Sequence, residues 1–421
     1  MVDYSQFPNR SILCVDMKSF YSSCSAVMLG LNPMTCYLAV VGNKDRQGSV
    51  VLAASPALKK DFNINTGSRL FEIPSDPRIH IVNPSMSSYL KTSAEITRLF
   101  NRYVPFSDMH IYSVDECFLD VTGVRRLWGD PETIAFNIQE SIKKEFSLPS
   151  TVGIGPNMLM AKLCLDLEAK TSKTGIAKWT YDDVQTKLWP IYPLSKMWGI
   201  GSRMERNLNH IGIFNVGSLA NYPLKLLEKK FGVMGRQVHQ HAWGIDFSKI
   251  GDPVKQEQVS FGKSQILLRD YHDPKEVKQV ILEICEEVAR HARKHKKAGR
   301  TVSLGIGYSK DEFGGGFHRA KTLQNPTNIT MDIYKTCLTL FDTFYTNKTV
   351  RQISVTLSNI EEDDNMQLDL FQQDREKQRI LGYVMDSIRD KYGPKALLRG
   401  VSYTNAGTAL HRSNLVGGHH S

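Results

Sequence analysis

Two apolar segments that each break into carboxylates constrain this chain more than any other feature. Ile12, Leu13, Cys14 and Val15 form an apolar run inside Ser11 to Phe20, a segment that reads as a buried strand, and the run delivers Asp16 at its end. Later, His110, Ile111, Tyr112, Ser113 and Val114 lead into Asp115 and Glu116, followed at once by apolar Cys117, Phe118 and Leu119. A carboxylate in a core strand is costly unless something offsets its charge. If the two strands are neighbours, three clustered acids repel one another and need divalent cations, magnesium by preference. Two such ions suit phosphoryl transfer, one activating an attacking hydroxyl and the other holding a triphosphate in line. Spacing alone does not decide between that joint site and unrelated acids at strand ends.

Around these segments the pattern is mixed. Ser93 to Tyr103 places Ile96, Leu99 and Phe100 at helical spacing, and Pro131 to Phe146 repeats the pattern, so strands alternate with helices in an α/β domain. Trp198-Gly199-Ile200-Gly201 predicts a hairpin followed by a helix ending near Ile211-Gly212-Ile213, with Ser218 opening the next, as in a helix-hairpin-helix module. The polar stretch Ser248 to Gln258 reads as a linker, and a new domain is expected near Val259. In it Asp273 and Pro274 start a helix with Val277, Ile281, Ile284 and Val288 on one face. The predicted order there is strand, helix, strand, strand, helix, strand. Arg375 to Tyr392 reads as a further amphipathic helix, and the last residues are expected to lack order.

Length and charge narrow the function class. At 421 residues the chain should form two to four domains. Its net charge of +10 suits a polyanionic partner but does not identify one. The start, MVDYSQFPNRSILCVD, lacks the basic and apolar segments of a signal peptide, and no apolar run would span a bilayer. A cytoplasmic protein with no membrane partner is the expectation. The 7 scattered cysteines, without a CxxC pair, read as reduced, buried thiols.

Val15-Asp16-Met17-Lys18-Ser19-Phe20-Tyr21 and Tyr112-Ser113-Val114-Asp115-Glu116-Cys117-Phe118-Leu119-Asp120-Val121-Thr122-Gly123 resemble the two metal-binding motifs of Y-family DNA polymerases, in the UmuC-like bacterial branch. Thr151-Val152-Gly153-Ile154-Gly155, leading into a helix from Asn157 to Lys170, resembles the last palm segment of that family. The resemblance runs from about Arg10 to Phe371. It implies an α/β (α+β) multidomain right hand with palm, small fingers, helix-hairpin-helix thumb and C-terminal little finger. The implied boundaries are 1–185 for palm and fingers (fingers about 28–90), 186–246 for the thumb, 247–258 for the linker, 259–360 for the little finger and 361–421 for a clamp-binding motif and tail.

The resemblance also implies roles. Asp16, Asp115 and Glu116 would be catalytic and bind two Mg2+ ions, with Mn2+ able to substitute, and the Met17 carbonyl would be a further ligand. Tyr21 would exclude ribonucleotides by standing where a 2′-hydroxyl would lie, beside Phe20. Ser55, Lys59 and Lys60, with Lys170 favoured over Lys173, would meet the triphosphate. Lys18 and Ser25 depart from the Asp or Asn and the Glu common at their positions, and Pro56-Ala57 stand near an expected Tyr.

DNA would be held by backbone amides at Gly199 and Gly201, by Arg203, and by a basic cluster of Lys263, Arg293, Lys294, Lys297 and Arg300. Gln367-Leu368-Asp369-Leu370-Phe371 looks like the peptide with which bacterial replication proteins engage the sliding clamp. The implied activity is error-prone, template-directed synthesis past damaged bases in the SOS response. Its partners would be primer-template DNA, deoxynucleoside triphosphates, the clamp and an accessory damage-response protein. The alternative is a catalytically degenerate homologue that binds DNA and clamp as a regulator.

Overall fold

A computed structural model describes residues 2–252, 260–310, 314–363, 375–416 and 419–420. The chain divides into two compact units, Met1–Pro253 with His419–Ser421, and Val254–Gly418.

The first unit is built on a five-stranded sheet. Its strands are β1 (Ile12–Met17), β5 (Met109–Ile111), β6 (Glu116–Asp120), β7 (Ser150–Gly155) and β8 (Ile176–Lys178), in the order β5-β6-β1-β7-β8. Because β1 is central, Ile12 to Val15 are wholly buried, which is why an unbroken apolar run is needed there. The strand stops at Met17, short of the Phe20 expected. Ser19, in a left-handed conformation at φ 51°, turns the chain into helix α1 (Phe20–Met28). A second sheet of β2 (Tyr37–Val41), β3 (Val51–Ala54) and β4 (Ile79–Val82), in the order β3-β2-β4, carries helix α2 (Pro56–Phe62). Helix α3 (Met86–Phe100) begins a turn and more before the predicted Ser93, a short α4 (Arg125–Trp128) was not predicted, and α5 (Pro131–Phe146) has the predicted bounds, with Asp130 accepting from Thr133 N–H and Pro131 in its first turn.

Helix α6 (Met158–Cys164) was expected to run as one helix to Lys170. Instead Leu165–Ala169 widens into a π-helical turn, with Lys170 N–H donating to Leu165 O at 3.1 Å. The helical region beyond comprises α7 (Ser202–Asn209), α8 (Val216–Ala220), α9 (Leu224–Phe231) and α10 (Val233–Ala242). It shares one apolar cluster with α6 and is tied to it by Asn157, which donates to Gly244 O at 2.8 Å. Residues 247–252, predicted as the start of a linker, are held on this unit: Arg10 donates to Ser248 O, and a Cβ at Gly251 would lie 2.4 Å from Ser107 O.

The second unit follows the predicted order. Strands β9 (Ser260–Tyr271), β10 (Lys297–Tyr308), β11 (Gly316–Thr327) and β12 (Val350–Glu362) form an antiparallel sheet in the order β11-β10-β12-β9. Helices α11 (Pro274–Lys294) and α12 (Thr330–Phe344) cover one face and bury Val302, Leu304, Ile353 and Val355 beneath them. The helix expected at Arg375 to Tyr392 is present, while the residues after it, expected to lack order, include packed ones. Helix α13 (Arg375–Tyr392) lies against α11, and Thr408, wholly buried, donates to Glu283 of α11 through its N–H and its hydroxyl. Residues Gln367 to Phe371 and Val259 lie outside the described residues. No helix among the described residues is long and apolar enough to cross a membrane.

Candidate active site

The strands β1 and β6 are antiparallel neighbours, and their register sets Asp16 directly opposite Glu116. Directly opposed residues share a face of the sheet, so the acids of the two segments meet. Asp115 sits in the tight turn before β6, where Tyr112 and Ser113 N–H both donate to Glu116 O, and Met17 N–H donates to Asp115 O at 2.9 Å. Asp16, Met17 and Asp115 line the floor of a cavity of about 660 Å³, together with Phe20, Tyr21, Lys59, Lys60 and Lys170. Burial pushes the Asp16 carboxyl up to about 6; Lys170 opposes the rise, while Asp115 and Glu116 add to it.

Glu116 faces a different neighbour. Its carboxylate, on a residue 9% exposed, lies 2.5 Å from Lys162 Nζ and accepts from Cys14 Sγ at 3.1 Å. Burial would lower the lysine's affinity for a proton, but the hydrogen bond and charge of Glu116, with Asp166, outweigh it and hold Lys162 protonated. Among the described residues no three His, Cys, Asp or Glu converge closely enough to hold a metal ion as they stand. The donor set still fits one: Asp16 and Asp115 line the same cavity, Glu116 stands opposite Asp16 in the register, and hard oxygen ligands suit magnesium or manganese.

Lys162 and Asp166 were not singled out from the sequence. The π turn brings them into use: Lys162, Asp166 and Lys170 follow one another at intervals of four, and the wider turn keeps the third in line with the first two. Gly153 and Gly155 make this approach possible, since a Cβ on Gly153 would lie 2.3 Å from Ala161 O and one on Gly155 2.4 Å from Ala161 N. The Gly-x-Gly in an otherwise buried strand was the available signal for a closely packed helix.

Tyr21 stacks on Tyr89 with ring centroids 4.8 Å apart, and Tyr89 shares a 2.6 Å hydrogen bond with Ser25. Ser25 thus anchors the ring behind Tyr21. Phe20 is 3% exposed and belongs more to the core than to the cavity. Lys59 donates to Ser19 Oγ at 2.8 Å, and Lys60 is exposed without an ion pair among the described residues. Lys170 lies 3.4 Å from Asp16, whereas Lys173 does not line the cavity. Ser55 requires correction as a triphosphate residue. It is fully buried; its hydroxyl donates to Cys36 O and accepts from Leu38 N–H, so it ties α2 to β2.

Of the expected DNA-contacting residues, Gly199 (φ 92°), Gly201 and Arg203 are exposed, the last two at the start of α7. The basic cluster of the second unit is largely spoken for. Arg293 is a correction: at 3% exposure its guanidinium bridges Asp386 of α13 and Asn328 O and faces no solvent. Lys263 pairs with Glu287 at 3.2 Å, Arg300 with Glu361 at 2.8 Å, and Lys297 with Glu362; Lys294 alone of the five has no ion pair among the described residues. Two cations of the run, Lys297 and Arg300, thus pair with the acidic stretch beginning at Glu361. Strand alternation turns a different set of side chains away from the helices: Thr301 and Ser303 on β10, Ser354 and Thr356 on β12, and Ser264 on β9. The alternation of Ser354-Val355-Thr356-Leu357 carries this hydroxyl-bearing face in the sequence, where a search on charge passes over it.

Comparison with known proteins bears on these features together. Residues 15–166 match the impB/mucB/samB family, 181–213 the helix-hairpin-helix motif of that family and 258–370 its C-terminal domain. The chain is 67% identical over its full length, and the full length of its relative, to a protein of Bacillus subtilis (strain 168) named for UV-damage repair, UvrX. It is 40% identical to DNA polymerase IV 2 of the same organism, covering 98% of this chain and 99% of the relative. A solved Y-family DNA polymerase chimera of Dbh and Dpo4 has the same fold, with a TM-score of 0.64 and 20% identity over 83% of this chain and 99% of its own.

Proposed function

The chain belongs to the impB/mucB/samB family of Y-family DNA polymerases, and on that premise we propose that it extends primer 3′ ends across damaged template bases by metal-assisted nucleotidyl transfer. The observation that carries the reading is the register of Asp16 against Glu116 at the edge of a cavity lined by Lys59, Lys60 and Lys170. Bound by Asp16, Asp115, Glu116 and the Met17 carbonyl, two magnesium ions would supply Lewis acidity at the primer hydroxyl and neutralise the triphosphate. The chain's own part is placement. Lys59, Lys60 and Lys170 offer cations to phosphate oxygens, and Tyr21, backed by Tyr89, leaves no room for a 2′-hydroxyl.

DNA contact is assigned to the amides at Gly199 and Gly201, to Arg203 and Lys294, and to the hydroxyl-bearing face of the second unit. None of these favours a particular base, as an enzyme that moves along any sequence requires. Gln367 to Phe371 is assigned to a sliding clamp on its sequence, and an accessory damage-response protein and a cytoplasmic location belong to the same reading. The hold of Lys162 on Glu116 favours a second reading, a homologue that binds DNA without synthesis.

Primer extension on undamaged and abasic templates with magnesium, beside an Asp115→Ala, Glu116→Ala double variant, separates the two. Distributive extension lost in the variant is expected. Firm DNA binding with no extension, even with clamp added, would transfer the assignment to the regulator.

A further inference from the structure

Lys162 has no part in the chemistry above, yet it occupies Glu116, one of the two acids of the second motif assigned to the divalent ions. Its Nζ lies 2.5 Å from Glu116 Oε1 on one side and 3.0 Å from Asp166 Oδ2 on the other. Asp166 Oδ1 in turn accepts from Lys170 at 2.8 Å, and Lys170 lies 3.4 Å from Asp16. Asp16, Glu116 and two ammonium groups therefore meet around Asp166; of these three carboxylates only Asp16 lines the cavity.

We propose that Lys162 is a positioning residue that stands in for a divalent ion at Glu116, and that Asp166 receives its ammonium when an ion takes Glu116 over. The inference rests on the two-metal reading. Without a metal, Asp16, Asp115 and Glu116 would repel one another in a partly buried site; Lys162 and Lys170 supply the missing charge, one to each strand. Lys162 is 8% exposed, so its ammonium cannot retreat into water, and a buried ion left unpaired is costly. Asp166, already within 3.0 Å, keeps it paired while Glu116 is released. A compact ammonium on a flexible stem suits this exchange better than a planar guanidinium. Metal and lysine then compete for one carboxylate, so each weakens the hold of the other.

The test is titration of the DNA-free, full-length protein with Mn2+, reading the free ion by its paramagnetic resonance signal. Wild type is compared with Lys162→Met, Asp166→Asn and an Asp16→Ala, Asp115→Ala double variant. Removing the competitor in Lys162→Met should tighten Mn2+ binding by at least about fivefold, and removing the acceptor in Asp166→Asn should weaken it by a similar factor. A simple loss of structure would move both the same way, and that result overturns the inference. So does unchanged affinity in both variants while wild type binds Mn2+ through Asp16 and Asp115; the metal site itself would then stand. If Lys162→Met does not fold, Asp166→Asn decides alone by weakening or not. Absence of Mn2+ binding in wild type would overturn the two-metal reading and this inference with it.

Discussion

Tyr21 works as a wall only if something holds it, and that support is Tyr89, fully buried and hydrogen bonded to Ser25. Stacked aromatic pairs contribute about 0.5–1.5 kcal/mol beyond their buried area. Tyr89→Leu should therefore lower discrimination against ribonucleotides by about two- to tenfold, measured as the ratio of kcat/KM for deoxy- and ribonucleotides, with magnesium dependence unchanged. A different outcome is expected at Arg293. Arg293→Ala leaves Asp386 buried without its partner and should cost about 3–5 kcal/mol in urea unfolding, with no direct effect on DNA affinity. Lys294→Ala should leave stability alone and reduce the salt dependence of DNA binding by about one counterion. From sequence the two residues were indistinguishable neighbours in a basic run. Asp16, Asp115, Tyr21 and Lys170 were legible because their chemistry is out of place or motif-bound; Ser55 and Arg293 were misread because partners distant in sequence bury them.

At the scale of elements, the helix after β7 shows how backbone geometry selects function. Two glycines let α6 lie close on the strand, and the π turn after it aligns Lys162, Asp166 and Lys170 toward the acids of β1 and β6. Helical periodicity identifies such a segment but cannot reveal one widened turn, because a single extra residue per turn barely alters the apolar pattern. Helix α10 carries a second consequence. Burial holds His239 and His241 below their ordinary value of 6.5, against opposing interactions with Glu228 and Asp246. As pH falls below about 6.5 the unfolded chain binds protons that the folded helix refuses, so stability present at neutral pH is lost toward acid. The thermal midpoint of the first unit should fall between pH 7.5 and 5.5 by less in a His239→Gln, His241→Gln variant than in wild type.

The whole molecule consists of two units, each with its own apolar core. Calorimetry should resolve two unfolding transitions, and magnesium with a deoxynucleoside triphosphate should raise only that of the first unit, which holds the cavity. A single transition shifted as one would contradict this. By itself the sequence determined the family, the order of strands and helices in the second unit and which acids interrupt the strands of the first, because those depend on local periodicity and on motifs contiguous in the chain. Tertiary structure alone decided which charges are available. The pairing of Arg293, Lys297 and Arg300 with Asp386, Glu362 and Glu361, the capture of Glu116 by Lys162 and the burial of Ser55 all join groups brought together by folding. Whether a side chain meets solvent, ligand or counter-ion depends on what packs against it, and no linear pattern carries that information.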